Sequence, residues 1–166
     1  MSEEIFDVVN DRNEVIGQET RSVVHARGLK HRAVHVLVFR KNGDLFIQKR
    51  SMAKDAEPGR WDTSAAGHLD AGEGYMEAAR REVKEELGVD CPDSLTFLFA
   101  SDARPDTGNE FIEVYRCEHE GPFVLHPDEI EDGRWIAISE LEAWMKEKPG
   151  EHASALHHVM SEWRTL

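Results

Sequence analysis

Three glutamates in one short segment are the residues best suited to chemistry. Glu82 precedes Glu85 by three positions and Glu86 by four, so on an α-helix the three carboxylates share one flank. Like charges at that spacing destabilise a helix by about 0.2–0.5 kcal/mol per pair. Hard divalent cations such as Mg²⁺ and Mn²⁺ prefer oxygen ligands of this kind. The pattern therefore predicts a divalent-metal site built from Glu82, Glu85 and Glu86.

A helix must hold these glutamates, and the surrounding residues predict one over 75–87. Its apolar positions recur at helical spacing and predict a stripe that faces the core: Met76, Ala79, Val83 and Leu87. Gly88 follows the last of them, as is typical of a helix C-terminus. Arg81 lies four residues before Glu85 and can offset part of the repulsion. The preceding glycine-rich stretch 67–74 allows a close backbone approach to an ion.

The segments around this helix predict a mixed α/β domain. Strand patterns occupy residues 5–9, 31–39, 45–48, 95–100, 111–117 and 135–138. Asn42-Gly43 predicts a hairpin over residues 31–49. The capping-box spacing from Ser139 to Glu142 predicts a helix start, and a last helix is predicted over 153–164. Because no repeat or long linker divides the chain, we expect a single domain over residues 1–166.

Composition and charge restrict the classes of partner. The formal net charge is −13, whereas nucleic-acid binding requires clustered lysines and arginines. No window approaches the apolar run of a membrane span, and two cysteines do not indicate a disulfide framework. We therefore expect a cytoplasmic protein that binds neither nucleic acid nor membrane.

Residues 67–89 read GHLDAGEGYMEAARREVKEELGV and resemble the complete Nudix box at every specified position. A chance match is on the order of 10⁻⁹ per starting position at ordinary residue frequencies. The resemblance implies an α/β (α+β) fold, the Nudix α/β/α sandwich with a mixed central sheet. It also implies hydrolysis of a phosphoanhydride bond. The substrate would be a nucleoside di- or triphosphate, or a nucleoside diphosphate linked to another moiety.

The same resemblance implies a metal site and its supports. Glu82, Glu85 and Glu86 match the metal ligands of the family, and the carbonyl of Gly67 matches its backbone ligand. The ion, Mg²⁺ or Mn²⁺, would neutralise phosphate oxygens and lower the pKa of the attacking water. Arg81 matches the arginine that orients a glutamate.

The catalytic base is less closely defined by the resemblance. Glu73 matches the glutamate that supports the loop or the metal. For the base itself, Glu86 and Glu82 rank ahead of the strand residues Glu110 and Glu113. The resemblance is also compatible with a homodimer.

A second likeness covers most of residues 5–139, and in it the chain resembles the type 1 isopentenyl-diphosphate isomerase branch of the superfamily. The resembling segments are Phe6–Gly17, His25, His31, 48–51, 58–61 and 66–68. Three histidines match those of the isomerase metal site, namely His25, His31 and His68. Glu110 matches one of its two glutamates, but Gly108 stands where the other is expected.

One further departure makes isomerisation the alternative and not the first hypothesis. Ala66 stands where the isomerases carry a proton-handling cysteine, and alanine cannot do acid–base chemistry. The isomerases also have a degraded box, whereas this one is intact. Without the second glutamate, the three histidines are expected to be structural or to face the substrate. A third hypothesis is a non-catalytic Nudix module that senses a nucleotide.

Substrate contacts are predicted at five positions, four of them outside the box. Arg50 and Arg60 are candidates for holding a phosphate, with surface solvation as the alternative. Trp61 borders the loop before the box and could stack on a base, although aromatic residues more often pack in the core. His68 and Glu110 complete the predicted substrate-facing set.

Overall fold

A mixed β-sheet between two layers of helices forms the centre of the protein. The computed structural model describes residues 3–166, so Met1 and Ser2 of the predicted domain lie outside the described residues. The strands are β1 (Ile5–Val9), β2 (Val15–Thr20), β3 (His31–Phe39), β4 (Leu45–Arg50), β5 (Trp61–Asp62), β6 (Ala65–His68), β7 (Thr96–Ser101), β8 (Glu110–Glu118) and β9 (Ile130–Ile136). The helices are α1 (Arg21–Arg27), α2 (Tyr75–Leu87), α3 (Ile138–Glu147) and α4 (Ser154–Trp163). Among residues 3–166, none of the helices has the length and apolar character needed to cross a membrane.

Strand β3 is the central element of the sheet. It runs parallel to β8 along its whole length, from the pair His31–Glu110 to the pair Phe39–Glu118. Its other edge pairs antiparallel with β6, where Ala33 lies opposite His68. Strand β7 extends the sheet beyond β8, β4 pairs with β5 and β9, and β1 and β2 form a separate ribbon. This register brings His31, Glu110 and His68 to the same end of three neighbouring strands.

Alternation along β3 divides the core into two layers. Val34, Val36 and Val38 pack in a cluster with the apolar side of α2. Leu37 and Phe39 point to the opposite face and pack with residues of α3 and α4. Successive strand residues face opposite sides of a sheet, so one buried strand can support both layers. The predicted α/β/α sandwich with a mixed sheet is confirmed.

Helix α2 has the predicted limits of 75–87, but one residue of its predicted stripe is misplaced. Ala79, Val83 and Leu87 are buried, whereas Met76 is 42% exposed. The buried side of the helix is shifted toward Glu82 and Glu86, and Met76 lies in the first turn at its margin. Including Met76 in the core was therefore wrong.

The hairpin predicted over residues 31–49 is confirmed at its turn, where β3 and β4 pair antiparallel, but not along the length of the two strands. Strands β3 and β4 share only the pair Phe39–Leu45, because β6 occupies the edge of β3 that a hairpin partner would use. Strand β4 pairs instead with β9, which begins at Ile130 and not at residue 135.

Helix α3 begins at Ile138 after Ala137, so Ser139 is not its cap. Strand β2 and helix α1 were not predicted, since β2 is exposed or half-exposed throughout and shows no buried alternation.

The end of α2 provides a test of how closely the chain packs there. Gly88 has a φ of +71°, and an added Cβ would lie 2.8 Å from the carbonyl oxygen of Val124. Gly88→Ala is expected to lower the free energy of unfolding by about 2 kcal/mol, from backbone strain and displacement of the neighbouring segment. Gly43 has a φ of +93° with nothing within 4 Å, so Gly43→Ala should cost only about 1 kcal/mol. Denaturant unfolding measures both, and equal losses would contradict the close packing.

Candidate functional site

A cavity of about 640 Å³ opens beside α2. The side chains of Glu82, Glu85 and Glu86 all line it, together with Ala66 and Gly67 of β6. The structure therefore brings the three predicted carboxylates to one cavity. Other polar residues of the lining come from α1, β3, β4, β6, β8 and the segments after β4 and β8. They include Arg21, His25, Arg50, Lys54, His68, Glu110 and His126.

Two of the three glutamates are buried against each other. Glu82 is 7% exposed and Glu86 is 6% exposed. Burial raises the pKa of Glu82, and burial together with the adjoining Glu82 carboxyl raises the pKa of Glu86 well above its ordinary value. Gln48 Nε2 donates to Glu86 Oε1 at 2.6 Å, and the Ala66 amide donates to the same oxygen at 3.3 Å.

This arrangement fits a divalent cation. A pair of buried carboxyls cannot both ionise at low cost unless a positive charge lies between or beside them. Glu85 is exposed and adds a third carboxylate at the cavity surface. The donor set is made of oxygen atoms, which suits Mg²⁺ or Mn²⁺ better than a softer metal.

Arg81 holds the carboxylates of this site in place. Its guanidinium donates two hydrogen bonds to Glu73, both at 2.8 Å, one to Glu82 at 2.7 Å and one to Glu85 at 3.2 Å. It also donates to the carbonyl of His68 at 3.0 Å. Burial acts to raise the pKa of Glu73, but Arg81 and the Asp70 amide outweigh it and lower that pKa. One planar cation thus joins the loop, the helix and the end of β6.

Gly67 is so close to Glu82 that any side chain at position 67 would collide with the Glu82 carboxylate. A Cβ at position 67 would lie 2.2 Å from Glu82 Oε1, which is far inside van der Waals contact. Gly67→Ala is expected to displace the Glu82 carboxylate, since that flexible end moves more readily than the backbone. We expect about a ten-fold weaker Mn²⁺ affinity, in the range for disturbed metal-site geometry, with little loss of stability.

The matched control for this substitution is Gly17→Ala. A Cβ at position 17 would have no other atom within 4 Å, and Gly17 lies in the ribbon of β1 and β2. Calorimetric Mn²⁺ titration and thermal melting would be compared for both variants. A Gly67→Ala protein that binds Mn²⁺ as tightly as the wild type would contradict the proposed contact.

Comparison with known proteins identifies the family of this chain. The sequence model described as the NUDIX domain matches residues 29–159. The chain belongs to the NUDIX domain family. An uncharacterized Nudix hydrolase of Yersinia pestis is 36% identical over 143 residues, covering 84% of this chain and 76% of that protein. Isopentenyl-diphosphate Delta-isomerase 2 of Aromatoleum aromaticum is 31% identical over 161 residues, covering 93% and 85%.

A solved structure supports the same conclusion for the fold. The crystal structure of DR0079 from Deinococcus radiodurans superposes with a TM-score of 0.79 at 33% identity. The match covers 90% of this chain and 92% of that one. The Nudix fold therefore rests on both sequence and structure.

Three histidines of this Nudix chain converge beside the box. The ligand atoms of His25, His31 and His68 lie within 4.8 Å of one another. His31 is 1% exposed, and its Nδ1 lies 2.9 Å from the carbonyl of Leu29. Because a carbonyl only accepts, Nδ1 carries the proton and Nε2 has the lone pair. That Nε2 is buried without a hydrogen-bond partner.

The histidine group could hold a transition-metal ion. Burial lowers the pKa of His31 to about 4, so its ring is neutral near pH 7, as a ligand requires. Glu110 Oε1 lies 3.6 Å from His68 Nε2. Burial acts to raise the pKa of Glu110, but His68 and the neighbouring histidines outweigh it and lower that pKa. The match of these three histidines to an isomerase-type metal site agrees with their convergence, and the expectation that they are structural or face the substrate stays a prediction.

Two predicted substrate contacts lie outside the cavity lining. Trp61 packs edge-to-face on Trp144, with ring centroids 5.7 Å apart. Arg60 is exposed and pairs with Glu57 at 3.3 Å. The structure thus favours the alternatives of core packing and surface solvation for these two residues. Glu113 is also outside the lining and accepts a hydrogen bond from Tyr115 at 2.7 Å.

Arg50 does line the cavity, and two hydrogen-bond partners orient it. Its Nη1 lies 3.2 Å from the buried carboxylate of Asp62, and its Nε donates to the carbonyl of Ala56 at 3.0 Å. Sequence reasoning missed two other cations of the lining. Lys54 pairs with Glu129, and Arg21 pairs with Asp55 at 3.5 Å. Isolated basic residues such as Lys54 in a loop and Arg21 at the start of α1 carry no distinguishing sequence pattern, so only the fold brings them to the site.

Proposed function

We propose that this protein is a Nudix pyrophosphohydrolase that uses Mg²⁺ or Mn²⁺. It would cleave a phosphoanhydride bond in a nucleoside di- or triphosphate, or in a nucleoside diphosphate linked to another moiety. The observation that carries the proposal is the buried pair Glu82 and Glu86, joined by Arg81 to the rest of the box. A cavity that buries two acids beside small β6 residues is suited to a cation and its phosphate ligand.

Each residue of the box has a distinct task in this proposal. Glu82, Glu85, Glu86 and the Gly67 carbonyl would hold the metal, which would screen phosphate charge and lower the pKa of bound water. Glu86, or Glu82 beside it, would accept the proton of the attacking water.

Positioning residues and substrate contacts complete the proposed site. Arg81 would orient the carboxylates, and Glu73 would hold Arg81 in place through its paired hydrogen bonds. Arg50, His68 and Glu110 all line the same cavity and would contact the substrate. Because Arg60 and Trp61 lie outside the lining, we leave them out of the substrate contacts.

The test is phosphate release from a panel of nucleotides and nucleoside-diphosphate conjugates. Activity should require Mg²⁺ or Mn²⁺ and disappear in excess chelator, because the buried carboxylates need a cation. The optimum should be alkaline, since the attacking water must lose a proton. Full activity in chelator would contradict the metal assignment, and the best substrate would define the class.

Isopentenyl-diphosphate isomerisation is the second candidate function. The converging histidines and the 31% identical relative named as an isomerase favour it. Against it, Ala66 lines the cavity and provides no proton-transfer group. Isomerisation of isopentenyl diphosphate should be assayed in parallel. Isomerisation without hydrolysis would reverse the order of the two candidates, and silence in both assays would favour a nucleotide-sensing module.

The proposal also covers the location, domain organisation and oligomeric state of the protein. We expect a cytoplasmic protein with one domain over residues 1–166, whose partner is a small-molecule diphosphate and which forms a homodimer. Cell fractionation and light scattering coupled to size-exclusion chromatography test the location and the oligomeric state.

A further inference from the structure

We propose that His126 is a substrate-binding residue, whose Nε2–H donates a hydrogen bond to a phosphoryl oxygen of the bound diphosphate. The inference rests on the hydrolase function proposed above. His126 lines the same cavity as Glu82, Glu85 and Glu86, although it follows them by about 40 residues in the chain. It belongs to the segment between β8 and β9, which the motif does not include.

Main-chain hydrogen bonds fix this segment against the end of α2. The Val124 amide donates to the carbonyl of Leu87, and the His126 amide donates to the carbonyl of Glu86, each at 3.0 Å. The close approach requires Gly88, where a Cβ would lie 2.8 Å from the Val124 carbonyl. The backbone of His126 is therefore tied directly to a residue whose carboxylate belongs to the proposed metal site.

A second contact determines which ring nitrogen of His126 carries the proton. The amide of Asp128 donates to His126 Nδ1 at 3.2 Å. Since an amide N–H can only donate, Nδ1 must present its lone pair, and the proton of the neutral ring is on Nε2. Nε2 lies across the ring from the turn at Asp128. Because His126 lines the cavity and its ring is half-buried, we assign this Nε2–H as the donor to a ligand bound there.

A donor at this point suits an anionic ligand. Carboxylates dominate the cavity around α2. The lining cations Arg21, Arg50 and Lys54 are already paired with Asp55, Asp62 and Glu129. A phosphoryl oxygen accepts a strong hydrogen bond from an N–H group. With its Nε2 protonated, His126 is suited to hold the substrate and not to remove a proton from water.

Two substitutions at position 126 distinguish loss of the Nε2–H donor from loss of the contact between Nδ1 and the Asp128 amide. The asparagine of His126→Asn can accept from the Asp128 amide as Nδ1 does, but it is too short to place a donor in the cavity. The glutamine of His126→Gln places an N–H near the position of Nε2 and loses the turn contact. We expect His126→Asn to lower kcat/KM by about 10- to 100-fold, mainly through KM. His126→Gln should stay within about three-fold of the wild type, since its donor remains.

His119 provides the matched control in the same segment. Its Nδ1 accepts from the Gly121 amide at 2.9 Å, the same type of turn, but its side chain is outside the cavity lining. His119→Asn and His119→Gln should leave kcat/KM unchanged. Mn²⁺ affinity, followed by electron paramagnetic resonance, should be the same in His126→Asn and the wild type, because no metal ligand is altered.

The possible outcomes are distinct. A large loss in His126→Gln with His126→Asn intact would mean a purely structural turn and would overturn the inference. Equal losses in both, no loss in either, or a loss of Mn²⁺ binding in His126→Asn would overturn it as well. A wild-type protein that hydrolyses no member of the panel would instead overturn the proposed function, and the role of His126 with it.

Discussion

Glu86→Gln is expected to lower kcat by about 10²–10⁴-fold, the range for loss of a proton acceptor at a reacting centre. Glutamine has the same shape and can still accept from Gln48, which donates to Glu86 at 2.6 Å. It cannot carry the negative charge that a metal ligand and a base require. Steady-state phosphate release with saturating Mn²⁺ measures the effect.

Although it lowers kcat, the same substitution should raise the thermal stability of the metal-free protein. Because the pKa of Glu86 is raised in the folded protein above its ordinary 4.5, the folded state binds a proton more tightly than the unfolded state. Wild-type stability should therefore fall as pH rises from about 4.5 through that raised pKa. Glutamine does not titrate, so in chelator at pH 8 the Glu86→Gln protein should melt at a higher temperature than the wild type.

Glu77→Gln is the control for both measurements. Glu77 is exposed on the same helix, and glutamine can still accept from the Gly74 amide as Glu77 does at 3.3 Å. Wild-type activity and melting behaviour are expected. A Glu86→Gln enzyme that keeps most of its kcat would show that neither the base nor an essential ligand is at position 86.

Arg81→Ala should impair both the stability and the activity of the protein. Removing the guanidinium leaves the largely buried carboxylates of Glu73 and Glu82 without their cation. Breaking a fully buried pair costs about 3–5 kcal/mol. Since Arg81 is 26% exposed, we expect about 2 kcal/mol, or roughly 4–8 °C in Tm for a chain of this size. Activity should fall by about 100-fold, because the ligands lose their orientation.

Two further variants show whether the losses in Arg81→Ala come from the missing charge or from the missing hydrogen-bond geometry. Arg81→Lys keeps the charge but cannot make the paired hydrogen bonds to Glu73, so its activity should lie between those of the wild type and Arg81→Ala. Arg80 is exposed on the same helix, and its one contact to the Cys91 carbonyl is long at 3.5 Å. Arg80→Ala should therefore change neither property. Similar effects at positions 80 and 81 would refute a specific role for Arg81.

Local signals in the sequence are sufficient to predict the helix that carries the box. Its limits of 75–87 depend on apolar residues at helical spacing and on Gly88, which can adopt the left-handed conformation. The shared flank of Glu82, Glu85 and Glu86 follows from the geometry of a single helix. The contact between Arg81 and Glu85, at 3.2 Å, was predictable for the same reason.

Pairing between strands could not be predicted in the same way. Asn42-Gly43 correctly indicated a turn, but whether β3 continues beside β4 depends on β6 competing for the same edge. That competition involves residues about 30 positions apart, so a pattern of neighbouring residues cannot predict it. The same pairing of β3 with β6 and β8 decides that His68 and Glu110 meet near His31.

Packing of the complete chain also selects which of the predicted residues share a cavity. Helical spacing treats the three glutamates alike, but packing against β6 buries Glu82 and Glu86 and leaves Glu85 exposed. Arg60 and Trp61 lie beside each other in sequence near the box and yet outside the cavity lining, whereas His126 reaches it from a distant segment. Local spacing determines which side chains share a helix face, because backbone geometry is local. Which segments meet across a cavity depends on how the whole chain packs.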